Sequence, residues 1–449
     1  MAKVAFIGFG EVNTPVEVII SRTTAAAEAL EKEGLDLVKV IPVADDYEEV
    51  QIKGAIETLA KDRYDAVVLC VGGWIPTHAV IKIAEHYRHL PMVLWGLCGW
   101  MEDGRIVTTA DQAGTTGLRA ALEDLGFTFT YIYDMIGKPS NSKRVADYCK
   151  AAIAARAIRH QKAGMAGYRD MNLYGTLYDG ASLKKVIGPE IETFEMLDMQ
   201  QRFEKLDEKD IMDVVENRIK KWTFVSPCSD EPMKTAAAYY LTVKQIAEER
   251  DYNAISLKDV DGMKKFMGFP PAPVFMLLAE DGYLTVPEND SLGCVTLMMM
   301  KELVGGTPFY LEFYEFFEDG VLAGVPDYVP SQVVEGEVTV MPAAFGLLNQ
   351  GILNISKVKT GELTMSRLVY KNGKYMMHIV HGNGVTPPKW EEYGWAQPAP
   401  QLPSLKIEME NVDDFAQHVA CQHYVITYGD NRAQIRNICS ILGIEVYES

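Results

Sequence analysis

Basic residues are scarce in this chain: 43 lysines and arginines stand against 62 aspartates and glutamates, a formal net charge of −19. That balance argues against nucleic acid or an anionic membrane as partner, because both need a basic face. Long apolar runs are missing, so no segment supplies the ~20 residues that span a bilayer as a helix. The amino terminus shows no signal-peptide pattern and leads directly into the strand-like VAFIGF. The seven cysteines form no CxxC or other zinc spacing, which fits reduced thiols in a cytoplasm and not a disulfide scaffold. A phosphate-cradling Walker loop and a GxSxG nucleophile elbow are both absent. Gly8-Phe9-Gly10 begins like a dinucleotide fingerprint, yet Asn13 holds the place of the third glycine, and a tight strand–helix turn accounts for the pair.

What is present is α/β alternation. Strand-like runs at residues 4–7, 35–41, 66–71, 92–95 and 127–133 are separated by helical patterns, the signature of a doubly wound parallel sheet. A second α/β region has strand-like runs near 168–174, 192–196, 254–257, 283–286 and 309–313. Beyond about residue 329, Gly, Pro, Val and Thr rise, and Asn372-Gly373 joins two alternating runs as a hairpin. The expected architecture is two doubly wound, Rossmann-like domains, 1–163 and 164–328, followed by a small β-rich, barrel-like domain, 329–449.

The chemistry concentrates in TVPENDSLGCVTLMMMKELVGGTPFYLEFYEF, which opens at Thr285. Glu288 follows one apolar strand, a helix pattern runs from Leu292 to Leu303 behind Asp290 and Ser291 as candidate caps, and Glu312 interrupts the next strand. Strand–helix–strand order predicts a βαβ unit with parallel neighbouring strands and both glutamates at the ligand-binding edge. Two carboxylates meeting there repel unless a cation or a shared proton holds them. The bland alternative is an exposed edge strand on which Glu312 and Glu315 face water. His423, where a helix meets a strand, is a candidate ligand or a structural histidine. His378 and His381 stand three apart, so a strand puts them on opposite faces, and only one could reach a given ion. Trp74, Trp95 and Trp100 fall at strand ends of the first domain, where an aromatic face could stack on a sugar or pack in a core.

The segment PENDSLGCVTL is similar to the TENDSLNGVAML element of L-fucose isomerases. In that family the glutamate binds a divalent metal, and a second carboxylate follows 24 residues later, the separation of Glu288 and Glu312. The fucose enzymes carry aspartate at the second place; L-arabinose isomerases, which are related, carry glutamate. AQHVACQHYVITYGD resembles the family's NWGANHGVLTIGH, aligning the metal histidine with His423 and a substrate-contacting asparagine with Gln422. IETFEMLDMQQRF and TMSRLVYKNGKYMMHIVHG resemble further family segments, and the similarity covers most of the chain from about Gly164 onward.

The resemblance implies an aldose–ketose isomerase working through a cis-enediol. Glu288, Glu312 and His423 would hold Mn2+, with Mg2+ or Co2+ as alternatives, and the glutamates would double as acid and base. Trp74, Asn13, Lys258, Gln422, Trp395 and His381 are candidate substrate contacts, and a homotrimer or homohexamer is implied, a neighbour's first domain closing each site. The glutamine-rich substrate loop of the family is replaced by YNAISLKDVD, which places Lys258 there, free for substrate or paired with Asp259 or Asp261. That cation, or Arg169, would suit an anionic hexose such as a 6-sulfonated sugar. A reading of another class is a two-lobed sugar-binding protein without catalysis.

Overall fold

The structure is a computed structural model and describes residues 2–11, 13–44, 48–325, 328–343, 351–392 and 401–449. The chain divides into two compact units, Met1–Arg156 and Ala157–Ser449. The second α/β region and the β-rich region therefore share one unit. Among the described residues, no helix is long and apolar enough to cross a membrane.

The first unit is built on five parallel strands: β1 (Val4–Phe9), β2 (Leu37–Val43), β3 (Ala66–Val71), β4 (Met92–Gly96) and β5 (Phe129–Tyr133), in the order β2-β1-β3-β4-β5. Strands β1, β3 and β4 are buried along their whole length, as an apolar strand covered by helices on both faces must be. Helix α1 (Val16–Lys32) packs close to β1, and a Cβ added at Gly10 would lie 2.4 Å from Ile19. The glycine at that turn thus serves helix–strand approach, the structural account of the Gly8-Phe9-Gly10 run.

The second unit holds a four-stranded parallel sheet and a barrel. The sheet comprises β6 (Lys162–Ala166), β7 (Glu190–Phe194), β8 (Ala254–Leu257) and β9 (Leu284–Val286), ordered β9-β8-β6-β7. Residues 168–174, expected as a strand, instead form turns after β6. The barrel strands are β10 (Phe309–Phe317), β11 (Gly320–Gly324), β12 (Gly361–Lys371), β13 (Lys374–Val385), β14 (Ser404–Glu408) and β15 (His423–Tyr428). They run β12-β15-β10-β11-β14-β13, and β13 pairs again with β12, which closes the ring. A further strand, β16 (Glu445–Glu448), adds to β13 in parallel. Asn372 and Gly373 both have positive φ, 53° and 80°, the two-residue turn anticipated for the β12–β13 hairpin.

One expectation fails here. Strands β9 and β10 are not parallel neighbours in a βαβ unit: β9 ends the parallel sheet, whereas β10 is antiparallel to both its barrel partners. The reason lies in helix α2 (Ser291–Val304) between them, whose residues from Ser291 to Met300 are all buried. A helix apolar on every side needs cover on every side. Helix α2 therefore lies between the sheet (β8, β9) and the barrel (β12, β15), and carries the chain from one to the other. Strands β10 and β11, although they precede residue 328, belong to the barrel.

Candidate metal centre

Glu288 and Asn289, the residues after β9, both adopt left-handed backbone, with φ of 62° and 50°. Such conformations cost about 1–3 kcal/mol in a residue with a side chain unless the surroundings hold them. Here they do. The Glu288 amide donates to Asp259 Oδ1 at 2.6 Å, and Asn289 Nδ2 donates to the carbonyls of Ala166 and Tyr168 at 2.9 and 2.8 Å. Asp290 then caps α2, accepting from the Gly293 amide at 2.9 Å. Ser291, the other candidate cap, is the first helical residue.

Three sequence-distant side chains converge beside this turn. His423 opens β15 and stands opposite Glu312 of β10 in the antiparallel register. Its Nε2 lies 3.5 Å from Glu288 Oε2 and 3.8 Å from Glu312 Oε1. Ligand atoms that each stand about 2.1 Å from one hard cation are separated by up to about 4.2 Å, so each glutamate taken singly is within reach of an ion shared with His423 Nε2. Among the described residues, the group whose ligand atoms all lie within 4.8 Å of one another is Asp290, Cys421 and His423. Glu288 Oε2 is buried and has no hydrogen-bond partner, an orphaned acceptor turned toward the imidazole. Two carboxylates and one imidazole without sulfur suit Mn2+, Mg2+ or Co2+ better than structural zinc.

The buried acids and the imidazole shift one another's protonation. Burial pushes Glu288 up to about 8; His423 opposes this, while Asp259, Glu312 and Asp290 reinforce it. For His423, burial works downward but is outweighed by neighbouring Asp290, Cys421 and Glu288, which raise it to about 10. The cluster thus retains protons that isolated groups would release, and an arriving divalent ion would displace them.

Behind the histidine lies a network that the sequence pattern does not announce. His423 Nδ1 is 3.6 Å from Asp290 Oδ2, beyond hydrogen-bond length but within strong electrostatic reach. Asp290 itself is fully buried and takes both Nη groups of Arg367, one at 2.9 Å, together with the Tyr310 hydroxyl at 2.5 Å. Burial would raise the Asp290 carboxyl, but Arg367 and His423 hold it far below the ordinary range. Cys421 is also close: Asp290, Cys421 and His423 bring potential ligand atoms within 4.8 Å of one another. The Cys421 thiol is drawn down by Arg367 and His423 against the effect of burial. A cation would meet less repulsion on the Nε2 side, because Asp290 on the other side is bound to the guanidinium of Arg367. Arg367, alone in the apolar run of TMSRLVY, was the available signal: a buried arginine implies a buried partner.

The remaining candidates are dispersed. Gln422 adjoins the cluster, its Nε2 3.5 Å from Glu312 Oε1. Lys258 follows β8; of the aspartates expected as its partners, Asp259 stands 3.5 Å from Lys264 Nζ, and Asp261 stands 2.7 Å from Lys265 Nζ while also feeling the charge of Lys258. His381 bonds Glu362 at 3.0 Å on the β12–β13 hairpin, and buried His378 contacts Tyr424 and Ser449, so the two face apart as expected. Trp74 and Asn13 belong to the first unit; Trp74 is exposed and Asn13 bonds Glu11 at 2.5 Å. Trp395 lies outside the described residues.

No family model matches the chain. Two curated relatives, each a sulfoquinovose isomerase, from Priestia aryabhattai and Priestia megaterium, are 20% identical to it over 264 residues. The match covers 58% of this chain and 58% of each relative, so little more than half of their length is spanned. A solved structure, an ABC transporter periplasmic solute binding protein from Actinobacillus succinogenes with bound D-allose, is 15% identical and covers 68% of this chain and 92% of its own. Its TM-score of 0.18 is too low to carry any argument.

Proposed function

We propose that this protein is a metal-dependent sugar isomerase that interconverts an aldose and its ketose. The observation that carries the reading is the approach of two glutamates, Glu288 and Glu312, to the Nε2 of His423, at 3.5 and 3.8 Å, from segments 24 and 111 positions apart in sequence. The similarity to sulfoquinovose isomerases supports it at the level of reaction class.

Aldose–ketose exchange moves one proton between C1 and C2 of the open-chain sugar through an enediol. A divalent ion at this centre, Mn2+ in our reading, supplies Lewis acidity toward the sugar oxygens. The chain's residues supply the rest. One of Glu288 and Glu312 accepts the carbon-bound proton and returns it to the adjacent carbon, while the other handles the hydroxyl proton. Asp290, fixed by Arg367 and Tyr310, sets a negative charge 3.6 Å from the Nδ1 of His423, on the side away from the carboxylates. Gln422, beside Glu312, is placed to read a sugar hydroxyl. Closure by a neighbour's first unit in a trimer or hexamer, bringing Trp74 and Asn13 to the sugar, remains part of the proposal; sedimentation of the active species as a monomer would remove it.

A second reading changes only the sugar. The relatives' name and the cations Lys258 and Arg169 in the same unit favour an anionic, 6-sulfonated aldose over a 6-deoxy one. The test is Glu288→Gln assayed with Mn2+ on sulfoquinovose, L-fucose and L-arabinose by NMR. Loss of ketose formation in a folded variant is expected; undiminished turnover would rule out the assignment.

A further inference from the structure

Glu288 faces the cluster only because its backbone is left-handed, and that conformation is imposed from outside its own strand. We infer that Asp259 is the positioning residue of the centre: its carboxylate, by accepting the Glu288 amide, fixes the turn that aims Glu288 at His423. The inference rests on the proposed metal-isomerase reading.

Asp259 is 1% exposed and follows β8, the neighbour of β9. One oxygen accepts from Glu288 N at 2.6 Å, and the other lies 3.5 Å from the ammonium of Lys264, itself largely buried. A buried carboxylate that accepts a backbone amide and lies beside a lysine is a fixed object. Its own placement is over-determined as well. Asp259 begins a π-helical segment (Asp259–Met267), a rare geometry that recurs at functional sites. The segment is pinned at its start by Asp170, fully buried, whose oxygens accept the amides of Val260 and Asp261, each at 2.8 Å. Asp261 in turn accepts the amide of Met171 at 2.9 Å. Thus the loop after β6 holds the segment after β8, and that segment holds the turn after β9. The order of anchoring follows the order of strands β6, β8 and β9 across the sheet. Removing the Asp259 acceptor frees Glu288 to relax to extended backbone, which swings its carboxylate away from the imidazole.

The experiment measures Mn2+ binding to the metal-stripped full-length protein by electron paramagnetic resonance, apart from turnover. Asp259→Ala should weaken Mn2+ binding about 10–100-fold, the range for losing a residue that orients a metal ligand. The pair Asp259→Asn with Lys264→Met keeps an acceptor for the Glu288 amide and removes the Asp259 and Lys264 charges together, so it should bind Mn2+ as the parent does. Should Asp259→Ala not fold, the neutral pair alone decides. Parent-level binding in Asp259→Ala, or lost binding in the neutral pair, overturns the inference. The underlying reading fails separately: the parent would then bind no Mn2+, or Glu288→Gln would bind it undiminished.

Discussion

Glu312 and His423 are direct register partners across the antiparallel strands β10 and β15. Residues so paired project from the same face of a sheet, which is why His423 Nε2 and Glu312 Oε1 come within 3.8 Å. A slip of one residue would send one of them to the opposite face, so the register of the barrel is itself a determinant of the centre. Glu288 comes from elsewhere, the edge of the parallel sheet, and completes the group.

Replacing Glu312 by Gln keeps the shape of the side chain and removes its charge. Turnover should fall about 10²–10⁴-fold, the usual contribution of a positioned acid–base group, with the melting temperature little changed. Isomerisation followed by NMR and a thermal melt on the same sample check both halves.

Removal of the ion should silence the enzyme reversibly. After exhaustive chelation, activity should return with Mn2+ and to differing extents with Co2+ or Mg2+. An ion bound only by the folded state also raises stability, by about 2.7 kcal/mol at a concentration a hundred times its dissociation constant. Melts of stripped and reloaded protein should differ accordingly; identical melts would count against a resident metal.

Arg367→Met should be among the most damaging single changes in the second unit. It leaves Asp290 buried without its guanidinium, and breaking such a pair typically costs about 3–5 kcal/mol. Arg367→Lys should rescue only partly, since one ammonium cannot span both Asp290 oxygens. Urea denaturation of the three proteins gives the ordering.

Acid sensitivity should trace in part to His378. Burial between Tyr424 and Ser449 lowers this imidazole from 6.5 to about 4. Unfolded, the ring takes up a proton as the pH falls through 6.5; folded, it resists until about 4. The unfolded state therefore binds more protons in that window, and stability declines from pH 6.5 toward pH 4, with the loss complete below it. The total is at most roughly 3 kcal/mol. His378→Gln, which still offers Tyr424 a partner, should flatten that part of the stability–pH curve.

Local patterns made much of this molecule readable without coordinates. Fully apolar strands such as Val4–Phe9 and Ala66–Val71 announce a parallel sheet covered on both faces, and Asn372-Gly373 can form little other than a tight hairpin. Two glutamates next to apolar strands, and a histidine at a strand start, stand out because burying them alone is so costly. What the pattern could not give was partnership. Strand–helix–strand order looks the same whether the strands share a sheet or, as with β9 and β10, belong to two; only packing around α2 decides. Likewise Asp290 reads as a helix cap, and it is one, yet its bond to Arg367 joins residues 77 positions apart. Asp259, too, reads as a loop acid until the fold brings it to the Glu288 amide. Spacing and hydropathy specify which elements form, because those depend on neighbours within a few residues. Which side chains meet depends on long-range packing, and that was settled only when sheet, helix and barrel closed on one another.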